Sequence, residues 1–498
     1  MFSPSLEEVK KIGKNKEYKR IPISYELFSD RATPIEVLRI LKAISRHTYM
    51  LESVEDSQKW GRYTFLGFDP LLEFTCQNGV VHIRGDMDFN ELNEDETVIE
   101  TDTPGDIIRD LVKKNKSPKL KELPPFTGGF VGYFAYDYIK YSEPSLNLDA
   151  ENQDQFKDID LMLFDKVIAF DNFRQKIVII TNMKTDNLED NYKKACDDLI
   201  EIADLIKNGK KSEIIPLKLK SEFKPVFSRE KYCDMVLKAK EYIYEGDIFQ
   251  VVLSNRIEAD ITGSLFDTYR VLRTTNPSPY MFYFSSDDIE IAGASPETLV
   301  KLTDNQLYTF PLAGTRPRGK TEEEDLKLER ELLSDEKELA EHNMLVDLGR
   351  NDIGRISEIG SVNVEKYLSV ERFSHVMHIG STVSGTLRSD LDSLAAIDSI
   401  LPAGTLSGAP KIRACEIINE LEDNKRGIYG GAIGYVDLSG NIDTCISIRI
   451  AFARNNKVFI RSGAGIVADS VPDKEFEECL NKAAAVINAL EIANGGIE

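Results

Sequence analysis

Cations are scarce in this chain. Its 498 residues carry 62 lysines and arginines against 84 aspartates and glutamates, a net charge of -22. Non-specific nucleic-acid binding needs clustered Lys and Arg to displace counterions, so that balance disfavours it. A local cationic pocket for a small anion remains compatible with it. No apolar run approaches the roughly 20 residues of a membrane-spanning helix. The opening stretch, MFSPSLEEVKKIGKNKEYKR, lacks the apolar core of a signal peptide. The six cysteines, at 76, 196, 233, 415, 445 and 479, form no CxxC pair and no dense framework, which fits reduced thiols in a cytoplasmic protein. There is no GxSxG or GxCxG elbow to supply a hydrolase nucleophile, and the glycine loop at 402–411 lacks the GK[ST] element of a phosphate loop.

What is present is an ordinary globular composition, 42% hydrophobic and 29% charged, enough for one large or two ordinary cores. Helical periodicity marks 33–45, 103–115 and 188–207. Short strands are expected at 50–53 and 63–68, with hairpins at 71–83, turning on Asn78-Gly79, and at 161–181, turning near Asp171-Asn172. The Lys- and Ser-rich stretch 208–226 is the expected linker between an N-terminal region, 1–207, and a C-terminal catalytic domain, 227–498. That second part opens with a helix after Ser228. Strands follow at 249–260, 280–285, 289–294 and 299–302. Thr321 to Glu324 is a capping-box signature, followed by two helical pieces to about 348. Further strands are expected at 360–368, 376–387, 429–437, 444–454 and 457–463, with a helix opening near Ser407. Two segments echo each other, GGFVGY at 128–133 and GGAIGY at 430–435, each followed by an aspartate, 137 and 437. Glycines inside strands mark close backbone approach, and the pair suggests similar strands in related halves of one sandwich. Strands and helices mix without regular βαβ alternation, so the expected class is α+β with antiparallel sheets.

Residues 461–490 read as a strand, a glycine loop at 463–465, then a helix started by Ser470, Pro472 and Asp473. Glu478 and Lys482, four apart on that helix, form either a surface ion pair or a ligand-facing acid and amine beside the glycines. Glu341 falls four and seven residues before Leu345 and Leu348, so the spacing puts it on their apolar face. A carboxylate there needs compensation, and a divalent cation shared with Glu478 is the candidate; two carboxylates plus substrate oxygens and water suit Mg²⁺. PAGTLSGAPK, 402–411, is a glycine loop ending at a helix start, a geometry that binds anions. Arg449 either faces solvent or offers its fork to a carboxylate. His378 is either a structural strand residue or a base. Glu297, in Ser295-Pro296-Glu297, is either solvent-facing or an acid.

Taken together and in order, SPET (295–298), PLAGTRPRG (311–319), EHNMLVDLGRND (341–352), VMHIGSTVSG (376–385), PAGTLSGAPK, GGAIGY, DTCISIR (443–449) and GAGIVADSVPDKEFEECLNKA (463–483) resemble the chorismate-binding enzymes. TGGFVGY at 127–133 and LES at 51–53 extend the likeness to nearly the whole chain, and the nearest branch is the large subunits of anthranilate synthases. The resemblance implies two antiparallel sheets packed face to face and flanked by helices. It implies conversion of chorismate and ammonia to anthranilate and pyruvate with Mg²⁺, the first step of tryptophan biosynthesis. Glu341 and Glu478 would hold the ion. Gly314, Thr315, Tyr429, Arg449, Gly463, Ala464, Gly465 and Lys482 would bind substrate. Glu297, His378 and Thr405 would be catalytic, Glu297 assisting loss of the 4-hydroxyl and His378 the elimination of pyruvate.

The same resemblance implies feedback inhibition by tryptophan at Leu51, Glu52, Ser53, Pro279, Tyr280, Met281, Tyr435 and Cys445. Lacking a nucleophile for glutamine hydrolysis, the chain is expected to work with a glutamine amidotransferase subunit, two large with two small. Sister activities on the same fold, aminodeoxychorismate or isochorismate synthesis, are the alternative, and a non-catalytic tryptophan sensor a more distant one. Position 313 discriminates among the enzymes: several relatives carry lysine where this chain has Ala313.

Overall fold

The computed structural model describes residues 2–53, 61–85, 96–372 and 376–497. Within them the named strands form two sheets whose ladders are all antiparallel. One core cluster draws on both sheets: Tyr49, Phe282 and Phe452 from the first meet Val131, Tyr133 and Ile433 from the second. The sheets therefore pack face to face. Helices cover the outer faces. Pro34–Leu41, Leu188–Asn208, Phe266–Thr275 and Pro472–Ala493 bury their apolar stripes on the first sheet. Pro104–Lys114, Glu336–Gly354 and Ser393–Ile400 do so on the second.

This layering explains the hydrophobic patterns. Central strands buried on both sides lose alternation: all six residues of Ile159–Phe164 are buried. Near the rim of the second sheet Leu72–Gln77 alternates strictly, buried and half-buried. The hairpin there turns on Asn78 and Gly79, with φ of 50° and 79°, as the Asn-Gly pair requires. Thr33 and Ser228 cap the helices that follow them. Thr321 accepts from the Glu324 amide, but the Glu324 carboxylate answers the Lys320 amide, so the box is offset by one residue.

The two parts of the chain interleave at two seams. Thr48–Glu52 pairs with Tyr280–Ser285 in the first sheet. In the second, the echoed strands lie side by side, with Gly132 opposite Gly434. A Cβ on Gly132 would meet the Asp160 carbonyl oxygen at 2.0 Å, and one on Gly434 the Asp443 carbonyl oxygen at 2.1 Å, so both positions demand glycine. The stretch 208–226 carries two short strands, Lys218–Leu219 and Lys224–Pro225, laid along the edge strand Gln250–Thr262.

Three local expectations differ. The span 161–181 is not one hairpin: Ile159–Phe164 belongs to the second sheet, and only Lys166–Asp171 and Lys176–Lys184 form a hairpin, in the first. The span 444–454 likewise splits into Ile442–Ile446, in the second sheet, and Ile450–Arg454, in the first. The chain changes sheets through Arg449, at φ 52°. The helix expected near Ser407 begins at Lys411, after a one-turn segment Gly404–Leu406 and a two-residue strand Gly408–Ala409.

Candidate active site

Glu297 sits where the first sheet hands the chain to the second, between strands Glu290–Ser295 and Thr298–Thr303. It is half-buried, and Thr405 Oγ1 donates to its Oε1 at 3.1 Å. Desolvation raises its pKa from the ordinary carboxylate value to about 7; the Thr405 hydrogen bond and the charges of Arg449 and Lys482 oppose that rise. Beside it, Thr405, Leu345, Leu348, Asp352 and Ile400 line a narrow cavity.

Arg449 stands at the sheet switch in a left-handed conformation. That conformation is costly for a non-glycine residue and marks functional positions when the fold enforces it. The residue is half-buried, and among the described residues it has no ion pair or side-chain hydrogen bond of its own; the opposite charge that acts on it is Glu297. His378, on strand Val376–Thr386, faces a bulge in its neighbour Leu312–Pro317. The bulge falls at Gly314 and Thr315, with Gly314 at φ 64°. It aims the Gly314 carbonyl at His378 Nδ1, 2.8 Å away, and Thr315 Oγ1 lies 3.2 Å from the same nitrogen. Desolvation and Arg449 hold the imidazole pKa below its usual value, so the ring is neutral at pH 7, with Nε2 as its basic nitrogen. Ala313, adjacent, is buried against Ile379 in the ladder.

Gly463, Ala464 and Gly465 are not a loop but the interior of strand Lys457–Ile466, paired with Ser254, Leu253 and Val252. Glycine is needed because a Cβ at 463 would come 2.6 Å from the Leu253 oxygen and 3.1 Å from the Tyr429 hydroxyl. Lys482, one helix layer out, donates to the Gly463 carbonyl at 3.1 Å and pairs with Glu478 at 2.8 Å. The Glu478–Lys482 ion pair is half-exposed and stands beside the glycines.

Glu341 does not share the buried face of its helix, which carries His342, Leu345 and Val346. The residue is exposed, while its carboxyl is desolvated by the surrounding walls. Its pKa is raised by that desolvation, then by Glu338, with Glu478 adding to it. Glu475 is raised likewise by desolvation and by Glu478. Four carboxylates from two helices thus act on one another, partly offset by Lys337 and Lys482. Hard oxygen donors in mutual repulsion suit a hard divalent cation. Glu338 and Glu475, three residues before Glu341 and Glu478, escaped the sequence reading although their spacing placed them on the same helix faces. Among the described residues the one tight cluster of three ligand-type side chains is elsewhere, at His47, Glu73 and Asp287. Among the described residues the four carboxylates thus form no closed cage.

These residues come from distant elements and form one electrostatic unit. Arg449 acts on Glu297 and His378, and Lys482 on Glu297 and Glu341.

The residues of the second expected site divide between two faces. Leu51, Tyr280, Tyr435 and Cys445 belong to the core between the sheets. Tyr435 packs on Phe126 with ring centres 4.3 Å apart. Tyr280 donates to Asp443 at 2.8 Å. Glu52 and Met281, paired across the seam, face the helix Phe266–Thr275, where Tyr269 and Arg273 hold the Glu52 carboxylate. Ser53 and Pro279 are half-buried at the ends of their strands.

Comparison with known proteins identifies the family. The model of the chorismate binding enzyme family matches residues 47–488. Anthranilate synthase component 1 of Acetivibrio thermocellus is 46% identical over 501 residues, covering 99% of each chain. The crystal structure of anthranilate synthase component I from Streptococcus pneumoniae superposes with a TM-score of 0.74 at 38% identity, over 92% of this chain and 98% of that one. The menaquinone-specific isochorismate synthase of Escherichia coli, 18% identical, shares the fold with a TM-score of 0.70 over 97% of this chain and 98% of its own. With the family matched over most of its length and near-full-length relatives at this identity, the chain belongs to the chorismate binding enzymes.

Proposed function

We propose that the chain is the large subunit of an anthranilate synthase, converting chorismate and ammonia to anthranilate and pyruvate. The observation that carries this reading is Glu297: a carboxyl poised at about 7, held by Thr405 and flanked by two cations. A dianionic substrate needs fixed positive charge in an otherwise acidic protein. Arg449, without an ion pair of its own among the described residues, and Lys482 supply it. Tyr429, Gly314, Thr315 and the Gly463–Ala464–Gly465 backbone complete the pocket. Glu341 and Glu478 would hold Mg²⁺, which when bound supplies a Lewis acid and a template for the ring carboxylate.

Glu297, half protonated at neutral pH, donates a proton to the departing 4-hydroxyl as ammonia adds at C2. General acid assistance of this kind is worth ~10²–10⁴ in rate. His378, neutral with Nδ1–H committed to Gly314, takes the C2 proton on Nε2 as the enolpyruvyl group leaves as pyruvate. The methyl of Ala313 leaves room at C2 for free ammonia, where a lysine would place its own amine. That favours the ortho-amino product over isochorismate or a 4-amino product. With no nucleophile elbow of its own, the chain receives ammonia from a glutamine amidotransferase subunit. Tryptophan would inhibit from the second site, its amino group meeting Glu52.

The test is incubation of the purified chain with chorismate, Mg²⁺ and either ammonium or glutamine, with chromatographic identification of products. Anthranilate from ammonium but not from glutamine is expected. Isochorismate or a 4-amino product would overturn the reading, and anthranilate from glutamine by this chain alone would remove the partner.

A further inference from the structure

Beneath the site lies a group of three charges that none of these roles uses. Glu422, Arg426 and Arg461 are each no more than 2% exposed. Two guanidiniums against one carboxylate leave one buried positive charge. Glu422 stays ionised despite its burial because Arg426 and Arg461 hold its pKa below the ordinary value. Every oxygen is used. Glu422 Oε1 accepts from the Ser254 amide (2.7 Å), Ser254 Oγ (2.9 Å) and Arg426 Nη2 (2.5 Å); Oε2 accepts from Arg426 Nε (2.9 Å) and Arg461 Nη2 (2.6 Å). Of the remaining donors, Arg461 Nε reaches Ser254 Oγ at 2.7 Å, and the others reach backbone: Arg426 to the carbonyls of Leu406 and Val252, both at 2.6 Å, and Arg461 to that of Lys425 at 3.0 Å.

Stability alone is a weak reason for such a group, because apolar residues of similar volume often serve as well or better. What the group touches is more telling. Leu406 directly follows Thr405, whose hydroxyl holds Glu297. Ser254 is the ladder partner of Gly463, and Val252 that of Gly465. The Arg426 guanidinium also lies 5.9 Å from the ring of Tyr429, whose hydroxyl abuts Gly463. One rigid fork therefore ties the loop bearing Thr405 to the strand pair that forms the opposite wall.

We propose that Glu422, Arg426 and Arg461 form a positioning unit that fixes the distance between the Thr405 loop and the Gly463 wall, with Arg426 acting on Glu297 through Thr405. The inference rests on the roles proposed above for Glu297 and Thr405. Arg426→Lys keeps the charge but loses the fork. In the folded variant kcat for chorismate should fall about tenfold or more, since a misplacement of about 1 Å can cost a hundredfold, while KM changes less than threefold. The descending limb of its pH profile should move upward, because the Thr405 hydrogen bond that holds Glu297 down is loosened. Ser254→Ala, which disturbs the other arm, should raise KM for chorismate at least threefold and leave that limb in place. Hydrogen exchange at amides 403–407, which needs no turnover, should quicken in Arg426→Lys.

Variants that melt earlier but keep wild-type kcat, KM, pH limb and exchange would show the group to be only structural. Should Arg426→Lys not fold, a wild-type KM in Ser254→Ala overturns the proposal. A wild-type chain inert toward chorismate would sink the functional reading instead, leaving the exchange rates to decide on the positioning unit.

Discussion

Replacing Glu297 by glutamine should kill the reaction and strengthen the fold, and the strengthening should depend on pH in a calculable way. The folded protein holds the Glu297 carboxyl at about 7 rather than the ordinary 4.5. The folded state therefore binds this proton more tightly than the unfolded chain. The sign follows by linkage: below about 4.5 both states are protonated and the residue costs nothing, and as pH rises toward 7 the folded state loses stability that the unfolded state does not. The rise from 4.5 to about 7 is worth about 3 kcal/mol once complete. Glu297→Gln, neutral at every pH, escapes that loss. Its denaturant midpoint should match wild type near pH 4.5 and exceed it increasingly up to pH 8, by at most about 3 kcal/mol. Activity should move the other way, falling by ~10²–10⁴, and the wild-type descending limb near pH 7 should vanish from what remains. Urea titrations of both proteins at pH 5, 6, 7 and 8, paired with kcat/KM profiles, read both effects. A stability difference that does not change with pH, or a glutamine variant within a few-fold of wild-type activity, would refute the reasoning.

Glu341→Gln and Glu478→Gln should each abolish turnover while leaving the fold intact, and calorimetry with chorismate present should show weakened Mg²⁺ binding; near-native turnover in chelator would remove the ion from the mechanism. Ala313→Lys should fill the space assigned to ammonia and suppress anthranilate formation while partly retaining chorismate binding, so a lysine variant making anthranilate at full rate would discard the role of that position. Ser53→Phe should weaken tryptophan inhibition more than catalysis, within the ~1–3 kcal/mol expected of coupled sites; failure of tryptophan to bind the wild-type chain in calorimetry would remove the second site.

Local chemistry made much of the fold legible. The Asn78-Gly79 turn, the caps at Thr33 and Ser228 and the strand Tyr280–Ser285 follow from residues acting on their immediate neighbours. What escaped are choices made by distant partners. No periodicity distinguishes a strand of one sheet from a strand of the other, so the switches near residue 165 and at Arg449 read as continuous strands. Glu341 looked buried because Leu345 and Leu348 follow it at helical spacing, yet the residue is exposed, and two of the charges that act on it, Glu478 and Lys482, come from the terminal helix. Glu422 and Arg426 carry the spacing of a surface pair in a polar stretch, LEDNKR. Their burial arises because Arg461 and Ser254, on strands elsewhere in the chain, close over them.

The seams have a consequence for synthesis. Gly129–Phe134 finds its partner in Ala432–Asp437, about 300 residues later, and at about 5–20 residues per second the ribosome needs roughly 15–60 s to supply it. Thr48–Glu52 waits for Tyr280–Ser285 on a similar scale. Throughout that interval the nascent chain presents unpaired, strongly apolar strand edges, the surfaces most prone to pairing with a neighbour. Yield of native protein should therefore respond more to chaperone supply and translation speed than to the stability of the finished fold.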